Sequence, residues 1–70
     1  MANFPKLNEL VNFEIKQQTE LGMFVYLTDY NNIEAMVLYG LHWDKNVDTN
    51  KGRVIRIDEE KGYIDLSNKI

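Results

Sequence analysis

Seventy residues are enough for one small domain, which we expect to occupy residues 1–70. The chain has no cysteine, which excludes disulfides and thiolate zinc sites. Eight basic residues against eleven acidic ones give a net charge of −3, which disfavours strong binding to nucleic acids.

The chain shows no membrane or export signal. Its N-terminus lacks the basic and apolar regions of a signal peptide, and no apolar run approaches the roughly 20 residues that span a bilayer. The longest such run, residues 22–27, has the length of a strand. We therefore expect a cytoplasmic protein with no membrane contact.

The first two predicted strands follow from apolar residues that recur with a period of two. The first strand covers residues 11–16, and its inward side chains are those of Val11, Phe13 and Ile15. Polar residues then predict a turn, and a second strand covers residues 22–27. Its inner face carries Met23, Val25 and Leu27. The alternation leaves Phe24 and Tyr26 on its outer face.

A turn rich in asparagine leads into the third strand. Asn31 and Asn32 predict this turn, because asparagine tolerates left-handed backbone conformations. The third strand covers residues 33–38, and its outer side chains are those of Glu34, Met36 and Leu38. Residues 39–51 are irregular and rich in Asn and Asp, so they predict a loop.

The last part of the chain predicts a β-hairpin. Its fourth strand covers residues 53–58, with Ile55 and Ile57 facing inward, and Gly62 supplies a positive φ in the turn. The fifth strand covers residues 63–67, with Tyr63 and Asp65 facing outward. Five strands with one long link and no convincing helix predict an all-β, five-stranded Greek-key barrel. A three-stranded sheet with a separate hairpin would give a similar pattern.

The chain lacks the side-chain sets that catalysis requires. His42 has no second histidine or cysteine, so the spacing of a metal site is absent. Ser67, the only serine, has no histidine nearby in sequence. Acidic residues 58–60 fit a charged hairpin turn, and no glycine-rich phosphate loop is present. We expect a protein that is not an enzyme and uses no metal or cofactor.

Two aromatic residues of the second strand could bind nucleic acid. Phe24 and Tyr26 share an outer face, and aromatic side chains of such barrels stack on unpaired bases. Lys16, Arg53 and Arg56 could add positive charge, but three glutamates lie among the same strands. Packing on the outside of the sheet is the favoured interpretation of these aromatics, so we expect weak or no nucleic-acid binding.

Three runs of residues resemble one protein family. Residues 54–67, which contain Lys-Gly-Tyr-Ile-Asp, resemble the last two strands of the S1 domain in the alpha subunit of eukaryotic translation initiation factor 2. Residues 21–25 resemble the glycine-led second strand of that domain, and residues 30–36 resemble its third-strand entry, with Ala35 in place of the usual glycine. The resemblance covers about residues 7–67 and implies an S1-like OB-fold barrel.

The resemblance is interrupted in the link between the third and fourth strands, residues 38–53. In the family this segment is longer and carries the regulatory serine. Counting on from Met36 without a gap places Trp43 in the position of that serine. Indole has no hydroxyl that could accept a phosphoryl group. The only hydroxyl groups in the link belong to Tyr39 and Thr49, and neither aligns with the serine.

The resemblance therefore implies a decoy that keeps a docking face and lacks the phospho-acceptor. Viral pseudosubstrates of the double-stranded-RNA-activated protein kinase are barrels of this kind, and the resemblance implies docking on the C-terminal lobe of that kinase in the host cytoplasm. We expect a monomer that carries the barrel alone. The positions that match the kinase-contacting residues of the family are Glu34, Met36, Lys61, Gly62, Tyr63, Ile64 and Asp65.

Two hypotheses follow from the sequence. The first is a pseudosubstrate inhibitor that blocks phosphorylation of the initiation factor and sustains translation. The second is an RNA-binding S1 module of a truncated or diverged initiation factor. The acidic balance of the chain favours the first hypothesis.

Overall fold

A computed structural model describes residues 4–40, 42–44, 46 and 50–69, which form a closed five-stranded barrel. The strands are β1 (Leu10–Gln18), β2 (Gly22–Leu27), β3 (Ile33–Leu38), β4 (Lys51–Asp58) and β5 (Tyr63–Ser67). They pair in the order β1-β2-β3-β5-β4, and only the β3–β5 pair is parallel. This arrangement confirms the predicted all-β barrel. The described part of the chain contains no helix, and hence none that could cross a membrane.

Alternate residues of the five strands fill the barrel, as the period of two predicts. The core also receives one side chain from outside the strands, that of Trp43. The described core residues are Val11, Phe13, Met23, Val25, Leu27, Ala35, Val37, Trp43, Val54, Ile64 and Leu66.

The predicted inward orientation of Ile55 is wrong, whereas Ile15 pairs with the buried Val25 and so lies on the inner face but is not buried. Ile15 is 47% exposed. Strand β4 pairs only with the first residues of β1, Leu10 to Asn12. Ile15 therefore lies beyond the part of β1 that β4 covers. Ile55 is the extra residue of a β-bulge, because the β4–β5 register passes from Val54 directly to Arg56. The extra residue shifts the alternation of inward and outward side chains by one position. Val54, and not Ile55, is therefore buried in the core.

Gly22 sits where two strand backbones approach closely. A Cβ atom at this position would lie 1.9 Å from the carbonyl oxygen of Val37. We expect Gly22→Ala to lower the free energy of unfolding by roughly 1–3 kcal/mol, the usual cost of overpacking a well-packed site. Urea denaturation measures this. Gly62→Asn is the matched control: nothing lies near its Cβ and asparagine tolerates its φ of 75°. An unchanged midpoint for Gly22→Ala would contradict this prediction.

Candidate functional site

A row of outer side chains crosses four strands of the barrel. Phe24 of β2 pairs with Met36 of β3, which pairs with Asp65 of β5. Asp65 in turn pairs with Arg56 of β4. Directly paired residues of neighbouring strands point to the same side of a sheet. The aromatic residue predicted to stack on RNA and two of the residues predicted to dock on a kinase therefore share one outer face.

Two ion pairs border this row. The Lys16 ammonium donates a hydrogen bond to Glu34, and this bond raises the pKa of Lys16. The same ammonium lies 5.7 Å from the centre of the Tyr26 ring. On the other border, the Arg56 Nε atom lies 3.4 Å from a carboxylate oxygen of Asp65. Each acidic docking candidate is thus paired with a cation: Glu34 with Lys16 across the intervening strand β2, and Asp65 with Arg56 of the adjacent strand β4.

The turn between β4 and β5 is fixed by the side chain and backbone of one aspartate. The Lys61 amide donates to the Asp58 carboxylate over 3.2 Å, and the Gly62 amide donates to the Asp58 carbonyl oxygen over 2.8 Å. Gly62 has a φ of 75°, as predicted for the turn. The next residue, Tyr63, is 49% exposed. A rigid turn therefore places Lys61 next to an exposed aromatic ring.

One predicted docking residue faces the wrong way for direct contact. Ile64 is 1% exposed and belongs to the core. Its neighbours Tyr63 and Asp65 point outward, so the alternation of the strand separates them from it. Ile64 can serve recognition only by holding these two neighbours in place.

The three basic residues that might have formed a phosphate-binding patch each have a different partner. Lys16 pairs with Glu34, and Arg56 pairs with Asp65. Arg53 donates from Nη1 to the carbonyl oxygen of Asn8 over 2.8 Å. The outer face is thus one of alternating charge rather than a basic surface.

The matched run at residues 30–36 has a structural explanation. Tyr30 donates from its hydroxyl to Glu9, and this hydrogen bond holds the pKa of the Glu9 carboxyl below its usual range. Asn31 and Asn32 have φ values of 55° and 57°, which confirms the predicted left-handed turn. These residues thus have a role in the fold. Tyr63 and Asp65 of the run at Lys61 point outward and are available for recognition.

Trp43, which the ungapped count places at the family's serine, is a core residue. It is 5% exposed, and its ring centroid lies 5.8 Å from that of Phe13. Gly52 lies against the indole and Leu66: a Cβ atom there would be 3.5 Å from the ring and 3.1 Å from the Leu66 Cβ atom. The sequence indicated the missing hydroxyl but not the burial. An apolar ring within a polar link was the one available signal.

Hydrogen bonds fasten the residues around Trp43 to the end of β5. The Asp44 amide donates to the Asn68 side chain over 2.6 Å, and the Asn68 side chain donates back to the Asp44 carbonyl oxygen over 2.9 Å. Ser67 donates from its hydroxyl to the carbonyl oxygen of His42 over 2.6 Å. Ser67 thus has a structural role at the end of β5. These hydrogen bonds of Asn68 were not predicted from the sequence.

The described residues contain no group of three or more side chains that could hold a metal ion. Tyr39, one of the two hydroxyl-bearing residues of the link, is half-buried against the core. The other, Thr49, lies outside the described residues.

Comparison with curated proteins gives relatives from one class. The chain is 35% identical to a eukaryotic translation initiation factor 2 subunit alpha homolog of Arabidopsis thaliana, over 97% of this chain and 23% of that protein. It is 38% identical to eukaryotic translation initiation factor 2 subunit 1 of Dictyostelium discoideum, over 94% of this chain and 22% of that protein. The chain thus spans about a quarter of the length of these relatives. No protein-family model matches it.

Solved structures give the same class. The intact alpha subunit of aIF2 from Pyrococcus abyssi superposes with a TM-score of 0.79 at 27% identity, over 96% of this chain and 30% of that chain. The a/eIF2alpha chain in a complex with aDim2p and rRNA from Pyrococcus horikoshii superposes with a TM-score of 0.77 at 28% identity, over 91% of this chain and 44% of that chain.

Proposed function

Because this chain is homologous to the S1 domain of translation initiation factor 2 alpha subunits, we propose that it mimics that domain and inhibits the kinase that phosphorylates the factor. The barrel docks on the C-terminal lobe of the double-stranded-RNA-activated protein kinase, in the place of the factor. Phosphorylation of the factor is then blocked, and translation continues in the host cytoplasm. In this role the chain acts as a pseudosubstrate of the viral type described above.

One observation carries this proposal: the aromatic docking position is exposed, while the residue that an ungapped count places at the phospho-acceptor position is buried. Tyr63 is 49% exposed on the outer face, whereas Trp43 is 5% exposed in the core. Aromatic side chains among charges of both signs are typical of small interaction hot spots, where charge sets the orientation of the partner. A chain with this combination can bind like a substrate but cannot be phosphorylated at Trp43.

Because Trp43 is buried, inhibition depends on docking alone. A buried indole at position 43 cannot enter the substrate cleft of a kinase unless the barrel core opens. The chain therefore competes for the docking surface of the kinase and leaves its active site accessible.

A kinase assay with two substrates tests this proposal. In excess, the chain should suppress phosphorylation of the full-length initiation factor, because the factor needs the docking surface. It should leave phosphorylation of a short peptide substrate unchanged, because the peptide does not use that surface. The chain itself should take up no phosphate. Equal phosphorylation of the factor with and without the chain would refute the proposal.

RNA binding is the second candidate, and the solved complex of a relative with rRNA favours it. Phe24, which is 38% exposed, is the residue that would stack on a base. The net charge of −3 opposes phosphate binding. Titration with single-stranded RNA at low salt decides this, since the RNA hypothesis requires a measurable affinity that weakens on Phe24→Ala.

A further inference from the structure

An apolar groove lies beside the proposed docking positions. It has a volume of about 540 Å³ and runs between the β1–β2 turn and the outer side of β2 and β3. The apolar side chains that wall it are those of Leu21, Phe24, Met36 and Leu38. Leu21 and Leu38 are 77% and 53% exposed. Contiguous exposed apolar surface of this kind marks interaction sites more often than isolated apolar residues do.

The backbone holds the walls of this groove in place. Thr19 accepts hydrogen bonds from the amides of Leu21 and Gly22 through its hydroxyl, each over 3.2 Å. The Tyr39 amide donates to the Leu21 carbonyl oxygen over 3.0 Å. Gly22 also pairs directly with Leu38 across β2 and β3. A partner would therefore pay little ordering cost to use the groove.

The charges around the groove indicate the chemistry of its occupant. Glu20 is the one charged residue among the described residues that line it. Glu34 lies on the same outer face, but Lys16 balances its charge, so the unpaired negative charge at the groove is that of Glu20. Phosphate groups would be repelled at this rim, which disfavours a nucleic acid. An apolar side chain on a protein segment with basic neighbours matches both the walls and the rim.

The groove is continuous with the positions proposed to dock on the kinase. Met36 belongs to both. Leu38 separates the groove from a second hollow of about 280 Å³, which is lined partly by Arg56 and Asp65. The outer face thus presents one surface from Leu21 to Asp65.

We propose that this apolar groove is the second half of the docking surface and receives an apolar side chain from a basic segment of the kinase. The proposal rests on the proposed function and extends it to residues that the family resemblance does not assign. Tyr63 and Asp65 then anchor one end of the interface, and Leu21 and Leu38 anchor the other.

Serine substitutions with matched controls test this proposal. We expect Leu21→Ser and Leu38→Ser each to weaken binding to the kinase domain by about tenfold or more, since each removes a leucine from an apolar contact. Leu7→Ser and Leu10→Ser are the controls, because these leucines are 57% and 51% exposed but do not line the groove. Isothermal calorimetry measures the affinities, and circular dichroism shows that all four variants stay folded.

The negative charge of Glu20 at the edge of the groove allows a second test. Glu20→Lys should weaken kinase binding severalfold at low salt and less at high salt, because added salt screens exposed charges. This variant leaves the apolar walls intact, so it tests the basic character of the occupant separately.

Each outcome is decisive. Wild-type affinity for Leu21→Ser and Leu38→Ser, together with weakened binding of Asp65→Ala, would refute the groove and leave the proposed function standing. Absence of binding by the wild-type chain would refute both. Equal losses in all four serine variants would refute a specific groove, and so would loss of single-stranded RNA binding with unchanged kinase binding.

Discussion

Replacement of Tyr63 by alanine should weaken binding to the kinase domain by about 30-fold, the effect of losing one interaction hot spot of roughly 2 kcal/mol. Tyr63 is 49% exposed in the free chain, so the partner can bury its ring without rearranging the barrel. Asp65→Ala should have a comparable effect, because this carboxylate lies on the same face. Inhibition of factor phosphorylation should fall in parallel with affinity.

Arg56→Ala is the matched control for Asp65→Ala. It breaks the same ion pair, in which Arg56 Nε lies 3.4 Å from the Asp65 carboxylate, but leaves the carboxylate in place. We expect Arg56→Ala to change affinity only slightly. All of these side chains point outward, so the free energy of unfolding should stay within about 0.5 kcal/mol of wild type. Full inhibition by both Tyr63→Ala and Asp65→Ala would contradict the assignment of this face.

Trp43→Ala should cost about 3–5 kcal/mol of stability, the usual loss when a large aromatic residue is removed from a core. Total stabilities of small domains begin near 5 kcal/mol, so this variant should be largely unfolded or close to it. Trp43→Phe keeps a ring against Phe13 and should lose much less. Urea denaturation followed by far-ultraviolet circular dichroism measures both, since the variants lack the only tryptophan and its fluorescence.

Trp43→Ser is a second test of whether position 43 belongs to the core. It restores a hydroxyl at the aligned position but removes the core aromatic, so it should destabilise the barrel as strongly as alanine does. In the folded fraction the serine would be buried and fastened by the Asp44–Asn68 hydrogen bonds. A Trp43→Ser variant of wild-type stability that is efficiently phosphorylated would show that position 43 is a presented loop and not part of the core.

Much of the barrel could be predicted because strands with one buried face follow a strict period of two. The failures at Ile15 and Ile55 have different causes: Ile15 lies beyond the part of β1 that β4 covers, whereas Ile55 is the extra residue of a β-bulge. A β-bulge inserts a residue without any change in composition, and the alternation of residues 53–57 continues through it in sequence. Only the pairing with β5 shows that Val54 and not Ile55 faces the core.

The outer face was harder to predict, because it depends on strand order. The sequence placed Phe24 and Met36 on the outside of their strands but could not show that they are paired. It also could not place Asp65 beside Met36, since the parallel β3–β5 pair joins distant parts of the chain. Trp43 was missed for a similar reason: a burial site built from Phe13 and Gly52 exists only after the barrel closes.

The shared face affects how mutations are interpreted. Phe24 belongs to the groove and is also the residue that could stack on RNA. Loss of function in Phe24→Ala would therefore fit either hypothesis. Asp65→Ala separates them, because removal of an acidic side chain should strengthen RNA binding and weaken kinase binding.

The most direct test of the docking face is a nuclear magnetic resonance titration of the isotopically labelled chain with the unlabelled kinase domain. The account predicts that shift changes and line broadening concentrate on β3, β5 and the turn at Lys61, and extend to the groove at Leu21. Exposed residues outside this surface, such as Leu7 and Leu10, should be unaffected. Changes confined to such residues, or no changes at kinase concentrations at which the chain inhibits phosphorylation of the factor, would contradict the proposed docking face.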